Sequence, residues 1–529
     1  MGDDTDGARR RILATPRSCA PSTTARLDGY ERRRPEDTLL HRVLREHWPV
    51  FRERAEEQGG LPRFVVREFD EYLGCGLLER GLVHLACSRC GDSMVVAFSC
   101  KRRGFCPSCT GRRMADVAAH MVDDVFPAVP VRQWVCSLPW SLRTALGYDR
   151  RLCADVMRAF VHALERSLRR RAKKLLGLRS VKDALFGAVT FVQRSDSALR
   201  LNVHAHTLAL DGVFVRDAAG VLAFHALPSP STQDVLDVAD AAHALLVKVL
   251  ARHGRSLEAP GDRDETFASD QAVLASCYGA SAADVQLLGE RAGQRTAKLV
   301  RALREVPPLA KEGAHAAVGG VDVHAEVAID GRDRKRLERL VRYVARPPLS
   351  TERLEEHTEG RLRYGFKRAW KDGTHAVVLE PLDLIGRLCA IIPPPRWHLI
   401  RYHGVLGGNA TERPEVVPAK KLAAPPSGVQ LPLPLSPSTG AAPTPPEKPR
   451  TAEPSRHPWA WLLMRVFGAD VTTCERKGCG GRMRIVEIAT EQADISRVMF
   501  DLGLGARGPP RPRPAHRVPA GQLRFDFTR

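Results

Sequence analysis

A chain of 529 residues is too long for one hydrophobic core and should divide into about two to four domains. Its 81 Lys and Arg outnumber 61 Asp and Glu, and the resulting net charge of +20 suits a polyanionic partner. No apolar run approaches the roughly eighteen residues that span a bilayer, and the N-terminal arginines have no apolar segment behind them, so the sequence reads as cytoplasmic. The basic runs lie beside cysteines and in loops, not on an amphipathic helix with an aromatic face, which favours nucleic acid over a membrane surface. The thirteen Cys form no secreted disulfide framework, and in a reducing compartment such residues bind metal, catalyse or are buried.

Residues 1–35 lack an apolar period and read as a disordered basic arm. From Pro35, the positions Leu39, Leu40, Val43, Leu44, Trp48 and Phe51 recur at helical spacing. Glu36 and Asp37 are expected in the first turn of that helix, where its dipole favours acids. Gly59–Gly60 ends it, and a second helix is expected over 62–73. Then comes Cys87-Ser-Arg-Cys90, followed after fifteen residues by Cys106-Pro-Ser-Cys109. Each C-x-x-C turn presents two thiolates to one ion, so Cys87, Cys90, Cys106 and Cys109 are expected to close a structural zinc site. Cys100 and His84 lie close enough in sequence to replace a ligand, and four unpaired buried cysteines are the plain alternative. Lys101, Arg102, Arg103, Arg112 and Arg113 surround these ligands and are expected to meet phosphates, with Phe105 as support. A solvated basic face would look the same.

The pattern predicts a helix over 114–125, a buried strand over 131–137 and a long helix over 149–176. The last carries Arg166, Arg169, Arg170, Arg171, Lys173 and Lys174 at its end, more cations than a helix dipole needs. Residues 188–193 and 201–210 form a predicted antiparallel hairpin. In its second arm His204 and His206 point to one face, roughly 7 Å apart along the strand, where two imidazoles could grip one divalent metal. Two polar residues on a half-exposed strand give the same pattern. Gln193 on the neighbouring strand is the candidate third ligand. A symmetrical turn places it opposite about residue 200, so it reaches His204 only through an offset or bulged register. Asp211–Gly212 turns the chain again, 228–312 is mainly helical, and 321–329 reads as one strand with His324 on the face of Asp322 and Glu326.

A helix follows over 333–344, with Tyr343 at its C-terminal end among Arg339, Arg342 and Arg346. Pro347–Pro348 forbid its continuation. A phenol held at a helix end among cations is a candidate nucleophile, and Tyr402 is the second choice. A tyrosine packed on the core is the competing reading. Residues 421–457 are a Pro-rich linker, 458–507 a small C-terminal domain, and 508–529 a disordered tail. Cys474 and Cys479 in that last domain have no second pair downstream and amount to half a zinc site.

Taken together, CSRC…AFSCKRRGFCPSCTGRRM, WVCSLPWSLR, GAVTFVQR…LNVHAHTLALDGVF, LVRYVARPPLSTERL, KRAWKDGTHAVVLEP and RYHGVL run in order over about residues 35–415. In these words the chain resembles the rolling-circle insertion-sequence transposases, a His-hydrophobe-His (HUH) tyrosine family with an N-terminal zinc-binding domain. It looks closest to the insertion-sequence-common-region type. The resemblance implies an α+β protein: a helical and zinc-ribbon-like domain over 36–125, then a palm-like antiparallel-sheet nuclease over 126–420 with flanking helices. It implies that His204 and His206 hold Mg²⁺ or Mn²⁺, that Tyr343 is the nucleophile and that Cys87, Cys90, Cys106 and Cys109 bind Zn²⁺. The expected activity is nicking and rejoining of single-stranded or hairpin DNA ends and target DNA through a 5′-phosphotyrosine. Host replication machinery is a further expected partner. Two-tyrosine members place a second tyrosine one helical turn earlier. Here that position is Arg339, which implies single-tyrosine chemistry. The alternatives are an HUH replication initiator or relaxase, and a non-catalytic zinc-dependent DNA-binding protein.

Overall fold

Three stretches rich in apolar and β-branched residues, Val131–Ser137, Gly187–Ser195 and Leu201–Leu210, pair antiparallel, with the histidine-bearing one in the middle. The computed structural model describes residues 34–257, 265–301, 314–418, 472–476 and 478–504. The expected arm up to residue 33, the linker over 421–457 and the tail over 508–529 lie outside them. The full sheet runs in the order Ile400–Gly404, Gly187–Ser195, Leu201–Leu210, Val131–Ser137, Val321–His324 and His315–Val318, with Ala328–Ile329 also paired to Val131–Ser137. The molecule is α+β, as expected.

The two sheet faces have different partners. Trp134, Cys136, Ala188, Val192, Val203 and Ala205 join the main core with Leu152, Val156, Phe160 and Leu164 of the long helix Arg150–Leu176. Asp149 caps that helix by accepting the amide of Leu152, and Gly177, at φ 64°, ends it in the left-handed conformation. Each large side chain so buried contributes roughly 1.5–3 kcal/mol. Of the basic residues at its end, Arg169 pairs with Glu165 and Arg171 with Asp234, while Arg166, Arg170, Lys173 and Lys174 face solvent. The other sheet face buries Phe191, Leu208 and Leu210 against Leu337, Leu340, Val341 and Val344 of the helix Arg334–Val344. This second face carries both histidines.

The turn after the histidine strand needs its glycine, because a Cβ on Gly212 would stand 2.3 Å from the His225 carbonyl oxygen. Asp211 beside it accepts from buried Arg132 at 2.9 and 2.7 Å, and Arg132 also reaches Ser229 and the Ala325 carbonyl, so neither charge is stranded.

Three expectations change. Glu36 and Asp37 form a separate short turn, Pro35–Asp37, because the Thr38 hydroxyl accepts from His41 and starts the helix Leu39–Glu56 there. The strand over 321–329 breaks into Val321–His324 and Ala328–Ile329, since the Ala325 and Val327 carbonyls are drawn to the Arg132 side chain and the Gln133 amide. The C-terminal segment does not stand apart. Met483–Ala489 adds to Leu82–Cys87, making a three-stranded sheet with Ser93–Ala97 in the N-terminal head. Among the described residues, no helix is long and apolar enough to cross a membrane.

Candidate nuclease site and thiol clusters

His204 and His206 lie on the central strand, 8% and 4% exposed, with ring centroids 5.0 Å apart. Nδ1 of His204 donates to the Asn202 carbonyl at 2.9 Å, which leaves Nε2 as a bare acceptor. Nδ1 of His206 lies 2.8 Å from the Gln133 amide, and its Nε2 is buried with no hydrogen-bond partner. Burial pulls both imidazoles below their usual range. His206 is brought down to about 2, with His204 and Arg346 adding to the effect of burial. Both rings are therefore neutral at pH 7, the form in which imidazole offers a lone pair.

The bulge that Gln193 required is present. The strand Gly187–Ser195 runs two residues further than the apolar pattern indicated, and the register slips between Gln193 and Ser195. Asp196 fixes the short turn by accepting the amides of Ala198 and Arg200 and pairing with the Arg200 side chain. Gln193 then stands directly opposite His204. Its amide nitrogen donates to the Val344 carbonyl at 2.7 Å, one of the carbonyls a helix end leaves without a partner. Gln193 thus ties the histidine sheet to the end of the tyrosine helix.

That helix starts at Asp333, whose side chain accepts from Arg336, and ends before Pro347. Its apolar stripe is buried, which turns Tyr343 outward to 41% exposure. The Tyr343 ring meets His206 edge-on, with centroids 6.1 Å apart. Arg346 lies 5.0 Å and Lys367 5.8 Å from the Tyr343 ring centre. Arg339, one turn earlier on the same face, is exposed, and Arg342 is occupied by Glu338. Tyr402 also lies on the histidine face, but beside Val189 and Leu208, with Arg413 over its ring and its phenol pushed up by burial.

Tyr343 and Gln193 line a cleft of about 700 Å³ whose charged walls, among the described residues, are Arg103, Arg113, Arg194, Arg346, Arg353, Lys367 and Arg368 against one acid, Asp196. A cleft so lined attracts phosphates. Of the five cations expected near the cysteines, Arg103 and Arg113 reach this cleft. Lys101 is exposed, Arg112 touches Ser99, and Arg102 is held by Glu71. His324 stands with His315 and Asp322 farther along the same sheet face, where His315 hydrogen-bonds the Asp322 carboxylate at 2.7 Å and His324 lies 3.2 Å from it. Sequence reasoning missed Gln133 and Lys367, because neither has any spacing relation to the histidines.

The thiols group differently from the expected set. The structure does not bring Cys87, Cys90, Cys106 and Cys109 together. Cys106 and Cys109 join Cys75 and Cys100, while Cys87 and Cys90 join Cys474 and Cys479. In the first group the sulfurs of Cys75 and Cys109 are 3.7 Å apart, Cys75 and Cys106 3.6 Å, and Cys100 and Cys109 3.4 Å. A tetrahedron of zinc–sulfur bonds has edges of about 3.8 Å. Cys109 sits in the first turn of the helix Pro107–His120, whose N-terminus favours a thiolate. The reason for the regrouping is the aromatic core beneath. Trp48, Phe69, Tyr72 and Phe105 pack ring on ring, and buried Glu68 accepts the amides of Arg103 and Gly104. This fixes residues 100–109 over Cys75, at the end of the helix Arg63–Leu73. Cys87 and Cys90 lie at the turn of the hairpin made by Leu82–Cys87 and Ser93–Ala97 and group instead with Cys474 and Cys479.

The comparisons with known proteins bear on both regions. Residues 43–138 match a family model described as a transposase zinc-binding domain, and residues 187–413 match one described as a putative transposase. The chain is also 26% identical over 385 residues to the transposase for insertion sequence element IS801 of Pseudomonas savastanoi pv. phaseolicola, covering 70% of this chain and 77% of that protein. Over these regions the chain is similar to the rolling-circle insertion-sequence transposases. No solved structure matches it. Cys75, Cys87, Cys90, Cys100, Cys106 and Cys109 fall in the zinc-binding match, and the histidine strand and tyrosine helix fall in the second. A transposase is expected to bind DNA, and the likeness implies nuclease and strand-transfer activity.

Proposed function

We propose that this transposase nicks and rejoins single-stranded DNA by single-tyrosine chemistry, with Tyr343 as nucleophile, in rolling-circle transposition of its element. The observation that carries this reading is the Tyr343 ring, on the wall of a cationic cleft, set 6.1 Å from buried His206. The donor set suits a divalent ion. His204 Nε2 is a bare acceptor. A half-turn of the Gln133 amide gives His206 the matching tautomer. The His206 Nε2 atom, buried without a partner, costs roughly 1–3 kcal/mol until something binds it. His204 and His206 would hold Mg²⁺ or Mn²⁺, with the Gln193 carbonyl oxygen as third donor. Such an ion supplies neutralisation of a non-bridging phosphate oxygen and of charge developing on the leaving oxygen.

The remaining work falls to this chain's side chains. Arg103, Arg113 and Lys367 hold the strand's phosphates in the cleft. Arg346 and Lys367, beside the Tyr343 ring, set positive charge where the attacked phosphate must sit. The Tyr343 oxygen attacks phosphorus, forming an O–P bond as the bond to the 3′ oxygen breaks. The phenol gives up one proton and the departing 3′ oxygen takes one, so the step is proton-neutral. The 5′-phosphotyrosine stores the ester, and attack by a 3′-hydroxyl reverses the step and joins strands without ATP. Gln193 keeps the phenol registered to the histidines by holding the Val344 carbonyl. The thiol head and the exposed cations Arg166, Arg170, Lys173 and Lys174 grip the element's ends.

The test incubates the full chain with Mn²⁺ and single-stranded oligonucleotides tiled across the DNA flanking its gene. A covalent adduct is expected that Tyr343→Phe and His204→Ala both lose. Zinc-dependent DNA binding without any adduct would instead leave the non-catalytic reading.

A further inference from the structure

The expected zinc domain ends well before the last cysteines, yet the structure places Cys474 and Cys479 against its hairpin. Six cysteines lie between residues 75 and 109, and one zinc ion takes four of them. Cys75, Cys100, Cys106 and Cys109 fill one set, so Cys87 and Cys90 are left as half a site. Cys474 and Cys479 are the matching half. Cys87 and Cys479 place their sulfurs 3.6 Å apart, and so do Cys90 and Cys474, again near the edge of a zinc tetrahedron.

The backbone around these four thiols is shaped for an ion. The Arg89 amide donates to the Cys87 sulfur at 3.4 Å, and the Arg89 guanidinium donates to the Cys479 carbonyl at 2.7 Å. The Cys474 amide donates to the Gly481 carbonyl, and the Ser88 amide to Arg482, so the two loops are stitched to each other. A Cβ on Gly481 would stand 2.5 Å from the Cys87 sulfur and 3.3 Å from that of Cys479, so only glycine lets the thiols converge.

We propose that Cys87, Cys90, Cys474 and Cys479 bind a second zinc ion, and that this ion clasps the C-terminal segment onto the N-terminal head. The packing around the join shows why such a clasp is needed. Among the described residues, its hydrophobic core is six buried side chains, Leu78, Leu82, Ala489, Ile495, Val498 and Met499. Ile485, Val486 and Ile488 on the joining strand remain exposed. So small a core does not by itself hold a strand whose partner lies nearly 400 residues away in sequence, and a metal that binds only the joined state does. The first ion then belongs to the head alone, and the second exists only while both ends of the chain are together.

The test is zinc content per full-length chain, purified under reducing conditions. Two equivalents are expected in the wild type and one in Cys474→Ser/Cys479→Ser. In that variant, residues 478–504 should become at least tenfold faster to cleave by added protease. A second measurement does not depend on the variant folding. A specific protease site inserted near residue 440 is cut in the wild-type protein. The two pieces are expected to co-elute with two zinc ions, then to separate on chelation. One equivalent in the wild type, two in the double variant, or pieces that stay together after complete zinc removal would each overturn the clasp. So would a disulfide between Cys90 and Cys474 or between Cys87 and Cys479.

Discussion

The sheet and the head of this transposase assemble their polar centres in opposite ways. In the sheet, His204 and His206 come from one strand, and Gln193 from its hairpin partner, so the centre is local in sequence. In the head, each group of four thiols draws on segments with no common spacing. One reaches from Cys75 to Cys109 and the other from Cys87 to Cys479. A centre built on one hairpin survives changes elsewhere in the chain. A centre built from distant segments exists only when the tertiary fold does, and the two should fail differently when perturbed.

The largest separation is expected from Tyr343→Phe, which should abolish the covalent DNA adduct while leaving zinc content and DNA binding at wild-type levels. Gel detection of the adduct and metal analysis on one preparation check both halves. His206→Ala should lower adduct formation by roughly 100-fold or more, again with zinc unchanged. Restored activity in that variant at ordinary Mn²⁺ concentrations would detach the histidines from the chemistry.

The head should fail the other way. Cys106→Ala removes a buried ligand over the Phe69 and Phe105 rings and should lose one zinc equivalent with the melting of the helices Leu39–Glu56 and Arg63–Leu73. Circular dichroism and metal content read this. The sheet should keep its fold, seen as retained protease resistance of residues 131–210.

Smaller effects sharpen the account of the cleft. Arg103→Ala and Arg113→Ala should each weaken binding to any single strand and lower the salt-dependence slope by about 1. Arg102→Ala should change that slope less, since Glu71 already occupies its guanidinium.

The smallest predicted effect is on pH. His206 is lowered in the folded state from 6.5 to about 2, so below pH 6.5 the unfolded chain binds the extra proton and the native one does not. Stability is therefore fully present above 6.5 and declines as pH falls toward 2. His403, lowered to about 4 by burial, adds the same sign. Urea midpoints of the metal-free sheet at pH 7.5 and 5 should fall, and the fall should shrink in His206→Asn.

Much of this was legible in the sequence where function rests on short-range periodicity. The strand alternation of residues 201–210, the helix ending at Pro347 and the proximity of two histidines all follow from local rules. The register of Gln193 did not, because it depends on Asp196 closing a turn two residues later than the apolar pattern suggests. The thiol pairing did not either. C-x-x-C spacing says that two sulfurs can share an ion, but the aromatic packing of Trp48, Phe69 and Phe105 decides which pairs meet. Cys474 and Cys479 had no partner within reach of any local rule, and Cys75 had no spacing at all to mark it.

The most direct test of the central claim is peptide mapping of the protein–DNA adduct by mass spectrometry. The account predicts a nucleotide linked through its 5′ phosphate to the peptide containing Tyr343, with a free 3′-hydroxyl on the released strand. A linkage at Tyr402, or a 3′-phosphate on the released strand, would contradict it.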